Sequence, residues 1–197
     1  MIKTNEERKF DFNCEFRLEK RGDDKSRIVG HAAVFNTIAG DGLWFREKIA
    51  AGAFSESIGQ DDIRALWNHD SNIVLGRNTS GTLALREDEK GLWVEIDPPD
   101  TQSARDLMVS IERGDVSQMS FGFEVLTDEW ERKEDEPDLR ILKKVKLWDV
   151  SPVTFPFYTQ TDVALRSHDK WQKGLKTQPM KRMRCKTQQK LRSINNG

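Results

Sequence analysis

Three short segments of the chain each present one polar residue that acyl-transfer chemistry needs. They are Ala65-Leu66-Trp67-Asn68-His69-Asp70, Gln118-Met119-Ser120-Phe121-Gly122-Phe123 and Lys146-Leu147-Trp148-Asp149-Val150-Ser151-Pro152-Val153. A neutral imidazole can take the proton from a serine hydroxyl, and a buried carboxylate can hold that imidazole in the required tautomer. The chain order is histidine, serine, acid, which matches none of the orders of chymotrypsin, subtilisin or the α/β-hydrolases. The chain has no Gly-x-Ser-x-Gly elbow either. It also lacks a Cys or His cluster with metal-ligand spacing and a Gly-rich phosphate loop, so no cofactor and no metal are expected.

The hydropathy pattern suggests how these residues are carried. Met119, Phe121, Phe123 and Val125 alternate with Ser120, Gly122 and Glu124, the pattern of a strand. Ser120 and Gly122 then share the face opposite the apolar stripe, where the missing side chain at Gly122 would let a substrate backbone approach the hydroxyl. Ser117 competes for the role, but its position suits the turn before the strand. Ile63 to His69 reads as a strand with Ala65, Trp67 and His69 on one face. Asp70 then points away from His69 and is rejected as its orienting acid. Asp149 follows Val145 and Leu147 on one face of a strand spanning Leu139 to Val150. A carboxylate on an apolar face needs a partner, either a histidine ring or backbone amides at Val150-Ser151-Pro152. His31, in Gly30-His31-Ala32-Ala33, reads as a structural histidine. Ser151 to Pro156 is the candidate source of oxyanion-hole amides.

Other elements frame these segments. Cys14 to Leu18, Arg27 to Phe35 and Leu43 to Ile49 read as strands, with a turn at Arg21-Gly22-Asp23-Asp24 after the first. Gly52 to Ile58 reads as a short helix with Ser55 and Ser57 on its polar side. Leu83 to Arg86 and Leu92 to Ile96 form a hairpin closed by Asp88-Glu89-Lys90-Gly91. A helix capped at Asp100 or Thr101 aligns Ala104, Leu107, Met108 and Ile111 and stops at Gly114. Glu131 to Asp138 is an acidic turn. Short strands interrupted by two helices indicate a mainly β (α+β) fold, a mostly antiparallel barrel or a sandwich with helices outside.

The 197 residues suffice for one domain with a core. Hydrophobic residues make up 36% and charged residues 33%, so the core is modest and the surface heavily charged. Cys14 and Cys185 lie at opposite ends, which is no disulfide framework and suits a reducing compartment. The first residues lack an apolar secretory signal, and no apolar run is long enough to span a membrane. The net charge of −1 hides an asymmetry: residues 166–197 hold ten Lys or Arg and one acid, a net +9. Residues 1–13 are expected to be a flexible N-terminus, 14–165 the folded domain and 166–197 a basic, disordered tail.

Several blocks resemble, in order, the tailed-phage prohead serine proteases, capsid-maturation enzymes related in fold to herpesvirus assemblin. The blocks are Gly30 to Asn36, Phe45 to Phe54, Asn68-His69-Asp70, Ser117 to Phe123 and Asp149 to Pro156, within about residues 15 to 165. The resemblance implies an antiparallel β-barrel of the herpesvirus-protease type with flanking helices. It also implies His69 as general base, Ser120 as nucleophile and Asp149 as third member. Herpesvirus-type relatives place a second histidine in the third role. This chain has none near Asp149, so His31, His168 or a water remain alternatives.

The implied function is a serine endopeptidase of prohead maturation. Its substrates would be the major capsid protein, through its scaffold region, and then the enzyme itself. It would act in the cytoplasm of the bacterial host, inside the procapsid, without a membrane or a specific nucleic acid, with room for a homo-oligomer. The alternative is a non-catalytic capsid assembly or scaffold module of the same fold. A nucleic-acid role would rest on the +9 tail alone, with no recognition helix or aromatic platform beside it.

Overall fold

The structure is a computed structural model that describes residues 6–8, 16–20, 26–39, 45–132, 136–155 and 168–174. Two units are distinguished, Met1–Thr159 and Gln160–Gly197. In the second, residues 168–174 form a helix in which His168 contacts Trp171 and Gln172. Cys14, Cys185, the turn at Arg21 to Asp24, Pro156 and residues 175–197 lie outside the described residues.

The first unit is mainly β. Its elements are β1 (Glu6–Arg8), β2 (Phe16–Lys20), β3 (Ser26–Val34), β4 (Phe45–Ile49), α1 (Ser55–Gln60), β5 (Arg64–Trp67) and β6 (Asp70–Arg77). There follow β7 (Leu83–Glu87), β8 (Gly91–Ile96), α2 (Gln102–Arg113), β9 (Gln118–Glu131) and β10 (Asp138–Val153). One sheet runs β1-β9-β10-β5-β6, with β4 also paired to β10; the other runs β2-β3-β8-β7. The strands do not close into a barrel among the described residues. The sheet is not purely antiparallel either, because β10 pairs in parallel with both β4 and β5. The physical reason lies in the length of β10. Its first half takes β4 and its second half takes β5 on the edge away from β9, so one long strand organises three neighbours.

Alternation in β9 buries Met119, Phe121 and Phe123, and these residues share a core with Ile28, Leu92, Val94 and Ile96 of the second sheet. Helix α2 begins at Thr101, whose hydroxyl accepts the Ala104 amide, and ends at Gly114 with φ 81°. Its stripe of Ala104, Leu107 and Ile111 is buried, as an amphipathic helix on a core requires. Helix α1 departs from the expected polarity. Ser57 is buried, its Oγ donates to Asp61 Oδ2 at 2.7 Å, and it accepts the Leu147 amide at 2.7 Å. A hydroxyl turned toward the sheet serves here because it satisfies a backbone donor that β10 leaves over.

His31 is buried, edge-on to Trp93 at 5.0 Å, with Nε2 2.9 Å from Asp88 Oδ2. Asp88 also accepts the Lys90 and Gly91 amides, closing the β7–β8 turn. Partial burial pushes the Asp88 carboxyl up. The Gly91 amide, His31 and the Lys90 amide outweigh that and hold it below the usual aspartate range. A carboxyl with a lowered folded pKa stabilises the fold above its unfolded pKa, near ~3.9, and loses that contribution as pH falls through the folded value. Asp88→Asn keeps the amide acceptor but removes the charge. Its urea midpoint is therefore expected to fall below the parent's at pH 6, with the gap narrowing toward pH 2.5.

Candidate active site

The register of β9 against β10 decides which side chains meet. Phe123 lies opposite Leu147, Gly122 opposite Asp149, Phe121 opposite Val150 and Ser120 opposite Ser151. Directly opposed residues project to the same side of a sheet. Phe121, Phe123, Leu147 and Val150 therefore face the core, and Ser120, Gly122, Asp149 and Ser151 face the other way. Simple alternation would have put Asp149 with Val145 and Leu147. A bulge between Leu147 and Asp149 adds Trp148 to the strand and turns Asp149 onto the serine face.

His69 reaches the same face by a tight turn. β5 ends at Trp67, which pairs with Asp70, leaving Asn68 and His69 as a two-residue hairpin loop. Both have positive φ, 53° and 59°, the signature of a type I′ turn, which suits the twist of the flanking strands. The expected strand through His69 is thus corrected: its last two residues are the loop, and Asp70 opens the next strand. Asp70 Oδ1 accepts the Asn72 amide and side chain.

Asparagine and histidine are among the non-glycine residues that enter this region most readily, though each still costs about 1–3 kcal/mol there. The loop is tied down at Asn68. Its amide donates to Pro152 O at 3.0 Å, and its Oδ1 accepts the Thr154 amide at 2.8 Å. Asn68 anchors the loop through contacts that pattern reading missed. Its visible signal was an asparagine at the first loop position of a hairpin. His69→Gly relaxes the turn but leaves the Asp149 carboxylate without its imidazole. It is therefore expected to abolish turnover without raising the melting temperature, as read by a peptide-hydrolysis assay and a thermal melt.

The loop brings His69 Nδ1 to 2.7 Å from Asp149 Oδ2. The same oxygen accepts from Ser151 Oγ at 2.6 Å, so Ser151, read from the sequence only as a source of backbone amides, helps fix the carboxylate through its side chain. With Nδ1 engaged by Asp149, Nε2 is the nitrogen suited to exchange a proton. Gly122 makes room for this pair. A Cβ there would fall 3.3 Å from Asp149 Cγ and well inside contact distance of Oδ1. The space expected to admit a substrate backbone is therefore filled by the carboxylate of Asp149. Gly122→Ala is expected to push that carboxylate off His69 and lower turnover by about 10³-fold or more, approaching loss of the acid itself. Peptide kinetics and a melt on the purified variant check it.

His69 stands between two clefts. One, of about 430 Å³, is lined by Leu66, Trp148, Asp149, Lys146, Arg64 and the Asp61–Asp62 pair among others. The other, of about 340 Å³, is lined by Asn68, Val153, Thr154 and Phe155. Arg77 hydrogen bonds hold the Asp62 carboxyl down to about 2, so the rim of the larger cleft stays charged at all ordinary pH. Ser120 lines neither cleft and is 1% exposed. The expectation of an open hydroxyl on the strand face is corrected, since both faces of this part of β9 are covered. Within the proposed oxyanion stretch, Ser151 to Val153 continue β10 in register with β9, and the Thr154 amide is committed to Asn68. His31, with Asp88 in the second sheet, belongs to a different cluster. Ser117 precedes β9, outside the Ser120–Ser151 register.

An imidazole held by a carboxylate is the base and its orienting group in a serine hydrolase. Residues 13–174 match the family model described as caudovirus prohead serine protease, and the chain belongs to that family. The prohead protease of Enterobacteria phage HK97 is 33% identical over 156 residues, covering 76% of this chain and 64% of that relative. The chain thus spans a little under two thirds of the relative's length. No solved structure matches it.

Proposed function

We propose that the chain is a serine endopeptidase of prohead maturation. It cuts the scaffold region of capsid polypeptide and then itself, inside the procapsid of a bacterial host. The observation that carries this reading is the His69–Asp149 hydrogen bond, lying over Gly122 and two residues along β9 from Ser120. Family membership and the printed name of the HK97 relative support it.

In the proposed mechanism, Ser120 Oγ attacks the scissile carbonyl as His69 Nε2 takes its proton. The imidazolium, stabilised by Asp149, gives that proton to the leaving amine, which departs with the C-terminal fragment. Water then attacks the acyl-enzyme with His69 again as base, releasing the carboxylic acid and restoring Ser120. Residues 14–165 form the protease domain in this proposal, and the basic segment 166–197 is the targeting or self-cleavage region. Kinship with herpesvirus-type proteases belongs to the same proposal.

Co-expression with its own capsid operon tests the function. Parent chain is expected to yield shortened capsid subunits by intact-mass measurement, and Ser120→Ala full-length ones. Shortened subunits from both would reject the proposal in favour of a non-catalytic assembly module.

A further inference from the structure

The edge of β9 that does not pair with β10 is taken by the chain's own β1. Glu6 lies opposite Phe123, Glu7 opposite Gly122 and Arg8 opposite Phe121, antiparallel. That ladder stops one residue short of Ser120. An extended polypeptide adds to a sheet through the exposed N–H and C=O groups of an edge strand. A backbone delivered to Ser120 along β9 would need the same groups that β1 now uses. Ser120 is buried in this arrangement, and Phe121 and Phe123 with it. Resting on the protease reading, we infer that the β9 edge is where an extended substrate backbone docks, and that Glu6–Arg8 hold it as an intramolecular competitor.

Substrate must then displace β1, so the enzyme is restrained until a high local concentration of polypeptide outcompetes its own strand. A site open about one tenth of the time binds about tenfold more weakly than one always open. Three residue pairs form a short ladder, short enough to exchange. Neighbouring residues of a strand point their amides to opposite sides, so of Glu6 and Glu7 one must aim its N–H at β9. Proline at both positions removes that donor whichever it is.

The test uses the full chain carrying Ser120→Ala, so that binding is read without turnover. The probe is a fluorescent synthetic peptide with the sequence of residues 2–10. The added pair Glu6→Pro/Glu7→Pro is expected to bind it about tenfold more tightly than the control pair Glu6→Ala/Glu7→Ala. Equal affinity in two folded variants would overturn the inference. Should the proline variant not fold, hydrogen exchange on the unsubstituted chain decides. Saturating probe is expected to speed exchange at the Glu6–Arg8 amides, and unchanged exchange would overturn the inference. Because neither measurement needs hydrolysis, an inactive wild-type chain would count against the protease reading alone. Hydrolysis with unchanged binding would count against the strand competitor alone.

Discussion

Ser120→Ala is expected to reduce kcat by about 10⁶-fold while leaving the melting temperature within a few degrees of the parent. The size follows from the role: removing the nucleophile of a triad removes nearly all of the chemistry, leaving only what binding and oxyanion donors supply. The mild effect on stability follows from the surroundings. Ser120 is buried on β9 opposite Ser151, so loss of its hydroxyl takes away a hydrogen-bonding group but leaves the strand register intact. A typical hydrogen bond contributes about 0.5–1.5 kcal/mol net. Single-turnover hydrolysis of a capsid-derived peptide measures the first quantity and a calorimetric scan the second. A small loss of turnover would show that another group is the nucleophile.

Asp149→Asn is the second large effect, expected near 10⁴-fold in kcat with little change in KM. The amide is close to the carboxylate in shape, so Ser151 and the bulged strand can keep their places. What changes is the hydrogen bond to Nδ1. Asn cannot stabilise the imidazolium by charge, and its NH₂ group favours the wrong tautomer of His69. Ser151→Ala bears on the same carboxylate but spares its charge, and falls well short of this loss. Steady-state kinetics on Asp149→Asn, beside the Gly122→Ala variant, separate loss of the acid's charge from loss of its position.

Individual elements were more legible than the contacts between them. Residue types in β9 alternate without interruption, so the faces of Met119 through Phe123 could be read directly. Helix α2 was legible for the same reason, with a cap, an apolar stripe and a stop glycine in one run. Two local features were hidden. No glycine or proline marks the bulge at Trp148, so alternation carried Asp149 onto the core face when the backbone turns it away. His69 occupies a left-handed position usually left to glycine, so the pattern read on as strand where the chain turns. Gly122 was singled out, but its neighbour was misjudged: the side chain that needs its space comes from β10, a contact set by long-range register. The same limit applies to the sheet. Nothing in the local sequence of β4 or β5 says that both will run parallel to β10.

Asn68 and Ser151 buttress the proposed site without being among its proposed reacting residues. One fixes the loop that carries the imidazole, and the other fixes the acid that holds it. Neither would be chosen from residue type alone, since asparagine in a hairpin and serine in a strand are ordinary.

The central claim is that Ser120 is the nucleophile and His69 the group that activates it. A fluorophosphonate probe, followed by digestion and mass spectrometry, reads that directly because the reagent marks only a serine made reactive by a neighbouring base. One adduct on Ser120, lost in His69→Ala and in Asp149→Asn slowed by orders of magnitude, is the predicted result. An adduct on Ser117 or another serine, or equal labelling of Ser120 with and without His69, would contradict it.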